Sequence, residues 1–191
     1  MSGRDAGALA SSPAERAALD GLRTAAAHTG TELVMERHCV RAFLIAEEMG
    51  RRAQLDLDRE LLLCAAFLHD AGIYPAASTG DAYVRDSGRL VTQTLGPLGW
   101  PPERIERCAA ACELHHDLRR QWDRGPEVEL LRRADLVEVS GGLVHFGVPR
   151  AWLRRLSEEF PRKGFYAGIG KLLVGVLRER PATLPKIFAS R

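Results

Sequence analysis

No apolar run in this 191-residue chain is long enough to cross a bilayer. Its most apolar late stretch, Gly164 to Leu177, holds four glycines and Lys171. The N-terminal segment carries Arg4 and Asp5 and has no sustained apolar core, so no secretory leader is expected. An excess of one charge is also missing. The 27 basic and 25 acidic residues leave a formal net charge of +2, too small a field to argue for nucleic acid or a membrane surface as partner. Four cysteines are present, Cys39, Cys64, Cys108 and Cys112, but no C-x-x-C pair. The spacing of Cys108 and Cys112 puts two thiols on one helical face and not at a zinc-knuckle turn. Each cysteine lies in an apolar helical context, so the expectation is core packing of free thiols in a reducing cytoplasm. Strand-like alternation and internal repeats are both missing.

What remains reads as helix throughout. Hydrophobic residues at 46% and charged residues at 27% suit one soluble domain with a substantial core. Residues 1–12, rich in Ser, Gly and Ala, are expected to be a flexible tail, and residues 13–191 a single all-α domain. Ser12-Pro13-Ala14-Glu15 has the pattern of a capping box and opens a helix to about Ala27. Leu33, Val34, Val40, Phe43, Leu44 and Ala46 repeat with a period near that of a helix, predicting one from about Thr31 to Arg52 with His38 inside it. Asp56 or Asp58 then caps a helix through Leu61-Leu62-Leu63-Cys64-Ala65-Ala66-Phe67-Leu68, which delivers His69 and Asp70 at its end.

The Gly, Pro, Ser and Thr content of Gly72 to Ser87 predicts a loop, and its departure from His69-Asp70 makes it a candidate wall of a site. Further helices are predicted over Ser87–Leu95, Glu103–Leu118 and Glu127–Val139, the last stopped by Gly141-Gly142. Two more, Arg150–Phe160 and Gly164–Arg180, complete the chain.

Burying an imidazole beside a carboxylate is costly unless both find partners, and a metal ion satisfies both. His38, His69-Asp70 and Asp135 lie on three predicted helices, and helical bundles build metal sites from side chains that converge in this way. Two imidazoles and two carboxylates suit a divalent Mn, Fe, Co, Ni or Zn ion without choosing among them. His115 and His116 are adjacent, so on a helix they diverge by about 100° and reach one ion only if the helix end unwinds. Either is a candidate for a second metal or for general acid catalysis. Arg85 and Arg89 share a helical face and Lys163 sits at a helix start; these are candidate contacts for a substrate anion. Tyr74, Tyr83, Trp122 and Phe146 are candidate pocket residues.

The order His38, His69-Asp70, Asp135 on an all-α chain resembles the HD-domain superfamily of metal-dependent phosphohydrolases. Glu113-Leu114-His115-His116-Asp117 closing a later helix and Arg133-Ala134-Asp135-Leu136 strengthen the resemblance, which spans Glu32 to Val139. It implies an HD-type helical bundle whose metal-site core lies over about 32–139, with additional helices over about 150–180. It also implies one divalent ion held by His38, His69, Asp70 and Asp135, with a second ion able to bridge from Asp70. The expected activity is hydrolysis of a small phosphate ester or nucleotide, with Asp70, His115, His116 and Asp135 as catalytic candidates. The partner implied is a small molecule, with neither nucleic acid nor membrane.

Some features depart from particular branches. Ala71-Gly72-Ile73 stands where some members carry Lys, and no His lies between 69 and 115, which disfavours cyclic-dinucleotide cleavage. The Gly-containing loop and the paired His are similar to those of small cyanamide-hydratase-like members. A hydratase or lyase, an iron oxygenase, and a binding module that keeps the ion without turnover are the alternatives.

Overall fold

The computed structural model describes residues 5–179 and 181–183, with nine α-helices and no strand among them. The expectation of an all-α chain holds. No described helix is long and apolar enough to cross a membrane.

The first turn of helix, α1 (Ala6–Leu9), lies within the segment expected to be a tail. Asp5 caps it, and Ala6 and Ala10 are buried against the bundle. Helix α2 (Pro13–Ala26) begins with the full capping box: Ser12 Oγ accepts from Glu15 N, and Glu15 Oε2 accepts from Ser12 N. Helix α3 (Glu32–Arg52) follows, with His38 fully buried in its interior.

Helix α4 (Arg59–Leu68) is the axis of the fold. Asp58 caps it by accepting from Leu61 N, and every residue from Leu61 to Leu68 is buried. A helix apolar on all faces belongs at the centre of a bundle. Here α2, α3, α5 (Tyr83–Leu95), α6 (Pro102–Glu113) and α7 (Pro126–Val139) pack around it. Helices α8 (Arg150–Glu159) and α9 (Phe165–Glu179) lie against the outside of α3. The predicted end of the last helix, Arg180, lies outside the described residues. All four cysteines are free and buried, as expected of core packing.

Two boundaries differ from the sequence reading, and both shape the site. Helix α5 starts at Tyr83 and not at Ser87. The polar residues that suggested a loop are buried and bonded: Asp86 accepts from Thr79 N and Oγ1, and Ser87 Oγ accepts from Gly72 N. Helix α6 stops at Glu113, five residues short of the predicted Leu118. His115 Nδ1 donates to the Cys112 carbonyl at 2.6 Å, so a side chain takes a carbonyl that the next turn of helix would have used.

Candidate metal centre

Four elements deliver the site. His38 comes from the middle of α3, His69 from the C-cap of α4 with Asp70 directly after it, and Asp135 from α7. His115 and His116 come from the turn that follows α6. Because that turn has left the helix, both rings face the cluster, with centroids 4.0 Å apart. The unwinding required for both to approach one place is therefore present.

The two carboxylates each face two ways. Asp70 Oδ2 and Asp135 Oδ1 lie 3.4 Å from His38 Nε2, and 3.5 and 3.8 Å from His69 Nε2. Asp70 Oδ1 lies 3.4 Å from His115 Nε2, and Asp135 Oδ2 lies 3.4 Å from His116 Nδ1. Donor atoms thus fall into two sets sharing both aspartates: His38 and His69 on one side, His115 and His116 on the other. Three combinations bring their donor atoms within 4.8 Å of one another: His38/His69/Asp135, His69/Asp70/His115 and His115/His116/Asp135.

The residues fit a cation. His69 Nδ1 lies 2.8 Å from the Ala66 carbonyl and His115 Nδ1 2.6 Å from that of Cys112. A carbonyl only accepts, so both Nδ1 atoms carry a proton, and in the neutral ring each Nε2 turns a lone pair inward. Burial would lower the pKa of His69, but Asp70 and Asp135 raise it well above an ordinary imidazole, the direction a cation at that nitrogen would oppose. His38 Nε2 sits 3.1 Å from His69 Nε2, leaving room for at most one proton between them. His115 Nε2 and Asp135 Oδ1 are buried without a hydrogen-bond partner. Lone pairs aimed at carboxylates in a dry core are unfavourable alone, and a divalent ion between them resolves the conflict.

The surrounding groups set protonation. Burial lowers the pKa of His38, but Asp70 and Glu138 outweigh it and raise the value to about 9. Burial would raise Asp70, yet His69, His115 and His38 hold it well below the usual carboxylate range. Burial, then the neighbouring His115, pushes His116 down to about 4, so this ring is neutral. Its Nε2 is 2.5 Å from the Tyr83 hydroxyl. Burial, followed by Asp70 and Asp135, raises Tyr83 well above an ordinary phenol, so it keeps its proton.

A cavity of about 360 Å³ opens above this cluster. Asp70, His115, His116, Asp135 and Tyr83 form its floor, and Ile73, from the segment expected to wall the site, lies beside them. The expected cationic contacts are elsewhere. Arg89 bonds Asp86 and Thr79 and lines a separate cavity on the α2–α5 side. Arg85 is half-buried with Asp81 at 3.7 Å, and Lys163 is exposed before α9; neither lines the cavity. Arg85, Arg89 and Lys163, expected as substrate contacts, are thus not brought to this cavity by the fold. The lining instead contains Arg132, whose guanidinium is held by both oxygens of Glu129 at 2.9 Å and by the Asp117 carbonyl. Of the aromatic candidates only Tyr83 belongs to the cavity. Tyr74 bonds Thr31 in the core, and Trp122 and Phe146 stack on Arg133.

Two functional neighbours escaped the sequence reading. Glu138 Oε1 lies 3.7 Å from His38 Nδ1 and accepts from Arg41 Nε at 2.7 Å, with Arg162 on its other oxygen. Arg41 and Glu138 each stand three residues after a candidate ligand, on α3 and α7. That spacing puts each on the same helical face as a candidate ligand, which was the available signal.

Comparison with known families matches the chain to the HD domain over residues 35–140. No curated protein and no solved structure matches the chain.

Proposed function

We propose, for a chain that belongs to the HD-domain family, a metal-dependent hydrolase acting on a small-molecule phosphate ester. The observation that carries this reading is the buried set of imidazoles and carboxylates at the floor of a cavity. His38, His69, Asp70 and Asp135 would hold one divalent ion, and His115 and His116 with the outer aspartate oxygens a second. Such ions lower the pKa of a water and polarise the oxygen of the group under attack. The chain's own residues prepare for this. Ala66 O, Cys112 O and Glu138 fix the rings of His69, His115 and His38, as partners of ligating histidines do. Tyr83 retains a proton at its hydroxyl beside His116 and orients that ring from the cavity side.

A second reading has its own observation. Phosphoryl transfer favours cations facing the reacting group, and Arg132, the one Arg or Lys among the described residues of the lining, is committed to Glu129. A cavity of that kind also suits hydration of an uncharged carbon centre, as in a hydratase similar to cyanamide hydratase.

Metal analysis of the purified protein, followed by phosphate release from nucleotides and an aryl phosphate with Mn, Co or Ni, separates the two. Phosphate release lost in Asp70→Ala supports the hydrolase. Bound ion without phosphate release moves the assignment to the hydratase. A protein that takes up no ion under loading conditions overturns both.

A further inference from the structure

The cavity above the cluster has walls unlike its floor. Leu118, Leu136, Val139, Ile169 and Leu173 surround the mouth, from the turn after α6, from α7 and from α9. Leu118 is 83% exposed, and Leu136 and Val139 are 41% exposed each. Single exposed leucines are ordinary, but apolar side chains gathered around a concavity with a polar floor mark a ligand surface. Among the described residues, nothing in this wall reads a nucleotide. The guanidinium of Arg132 is turned back onto Glu129 and the Asp117 carbonyl, and Arg85, Arg89 and Lys163 are absent from the lining. A polyphosphate or a sugar hydroxyl entering here would give up its hydration for aliphatic carbon.

We propose that the substrate carries an apolar group, aryl or branched alkyl, beside its reacting centre, and that Leu118, Leu136, Val139, Ile169 and Leu173 select it. The inference rests on the cluster being the reacting centre, but not on the reacting atom being phosphorus.

Calorimetry on the full-length, ion-loaded protein tests it with four probes: 1-naphthylphosphonate, methylphosphonate, adenosine monophosphate and 1-naphthamide. We expect the naphthyl phosphonate to bind at least about tenfold more tightly than the methyl compound or the nucleotide, the scale of discrimination that an apolar pocket provides. Leu136→Gln and Leu173→Gln should each shrink that ratio severalfold. Leu33→Gln, at a leucine 57% exposed elsewhere on α3, should leave it unchanged, which separates loss of the wall from a general polar effect. Melting temperatures of the variants confirm that they remain folded. Equal affinity for the two phosphonates, or tighter binding of the nucleotide, overturns the inference. Naphthamide binding that is sensitive to the same variants, with no phosphonate bound, upholds the apolar selection while sinking the phosphate-ester reading. No naphthyl compound bound to a protein shown to carry its ion overturns the proposal outright.

Discussion

His38 depends on Glu138, and Glu138 on two arginines. The carboxylate is fully buried, lies against His38 Nδ1 and accepts from both Arg41 and Arg162. Burial would raise its pKa, but His38 and then Arg41 hold it far below the ordinary glutamate range. Replacing Glu138 by Gln keeps the shape and removes the charge that orients the ring. Ion affinity is then expected to fall about 10–100-fold, measured by competition with a chromophoric chelator. Because two guanidiniums lose their counter-charge, the melting temperature should fall as well, by the equivalent of about 3 kcal/mol. An unchanged ion affinity would show that Glu138 supports only the fold. The division of donors also predicts a stoichiometry. His116→Gln should lower bound ion from two equivalents to one, since His116 serves only the outer set of oxygens. Elemental analysis of the two proteins decides it, and one equivalent in both would place His116 outside the ligand set.

Among the elements, α4 and the glycine after it decide how close the helices come. Gly72 lies where an added Cβ would be 2.1 Å from the Tyr83 carbonyl oxygen and 2.5 Å from Ser87 N. Both obstacles are backbone, so α5 would have to move, and Tyr83 with it. Gly72→Ala is expected to destabilise by several kcal/mol, about 3 or more, and to perturb the Tyr83–His116 contact. Gly88→Ala is the control. Its Cβ would meet Glu113 Oε1 at 2.3 Å and Cγ at 2.7 Å, so a side chain and not backbone must change rotamer, and alanine gains roughly 1 kcal/mol of helix propensity in return. Thermal melts of the two variants should differ widely, and similar losses would refute the backbone argument. The capping box at Ser12, a cap at Asp56 or Asp58, and the three helices carrying His38, His69-Asp70 and Asp135 were all legible in the sequence. Each is written in local chemistry or in a 3.6-residue period. The start of α5 and the end of α6 were not. Asp86 and Ser87 look like loop residues until Thr79 and Gly72 arrive as partners, and α6 ends because His115 reaches back to Cys112. The apolar wall was equally hidden, because Leu118, Leu136 and Leu173 meet only when three distant segments pack.

Taken as a whole, the molecule buries a titratable cluster whose protons and ions compete for the same lone pairs. In the ion-free protein His38 holds its proton to about pH 9, against an ordinary value of 6.5. Its folded-state pKa is raised, so its contribution to stability is complete below about pH 6.5 and disappears as pH rises through about 9. An ion bound at His38 Nε2 requires that nitrogen unprotonated, so the ion on that side must displace the proton that His38 and His69 share. Apparent affinity should therefore climb about tenfold per pH unit between 6.5 and 9 and level off above. The stabilisation that a fixed ion excess confers rises by about 1.4 kcal/mol per pH unit over the same window, while the ion-free protein weakens. For a chain of this size that is a gap in melting temperature widening by about 3–6 °C per unit. Scanning calorimetry at pH 6.5, 7.5 and 8.5, with and without Mn, reads the gap directly. A gap that stays constant would mean that the ion displaces no proton from His38, and the ring would then be lost from the ligand set.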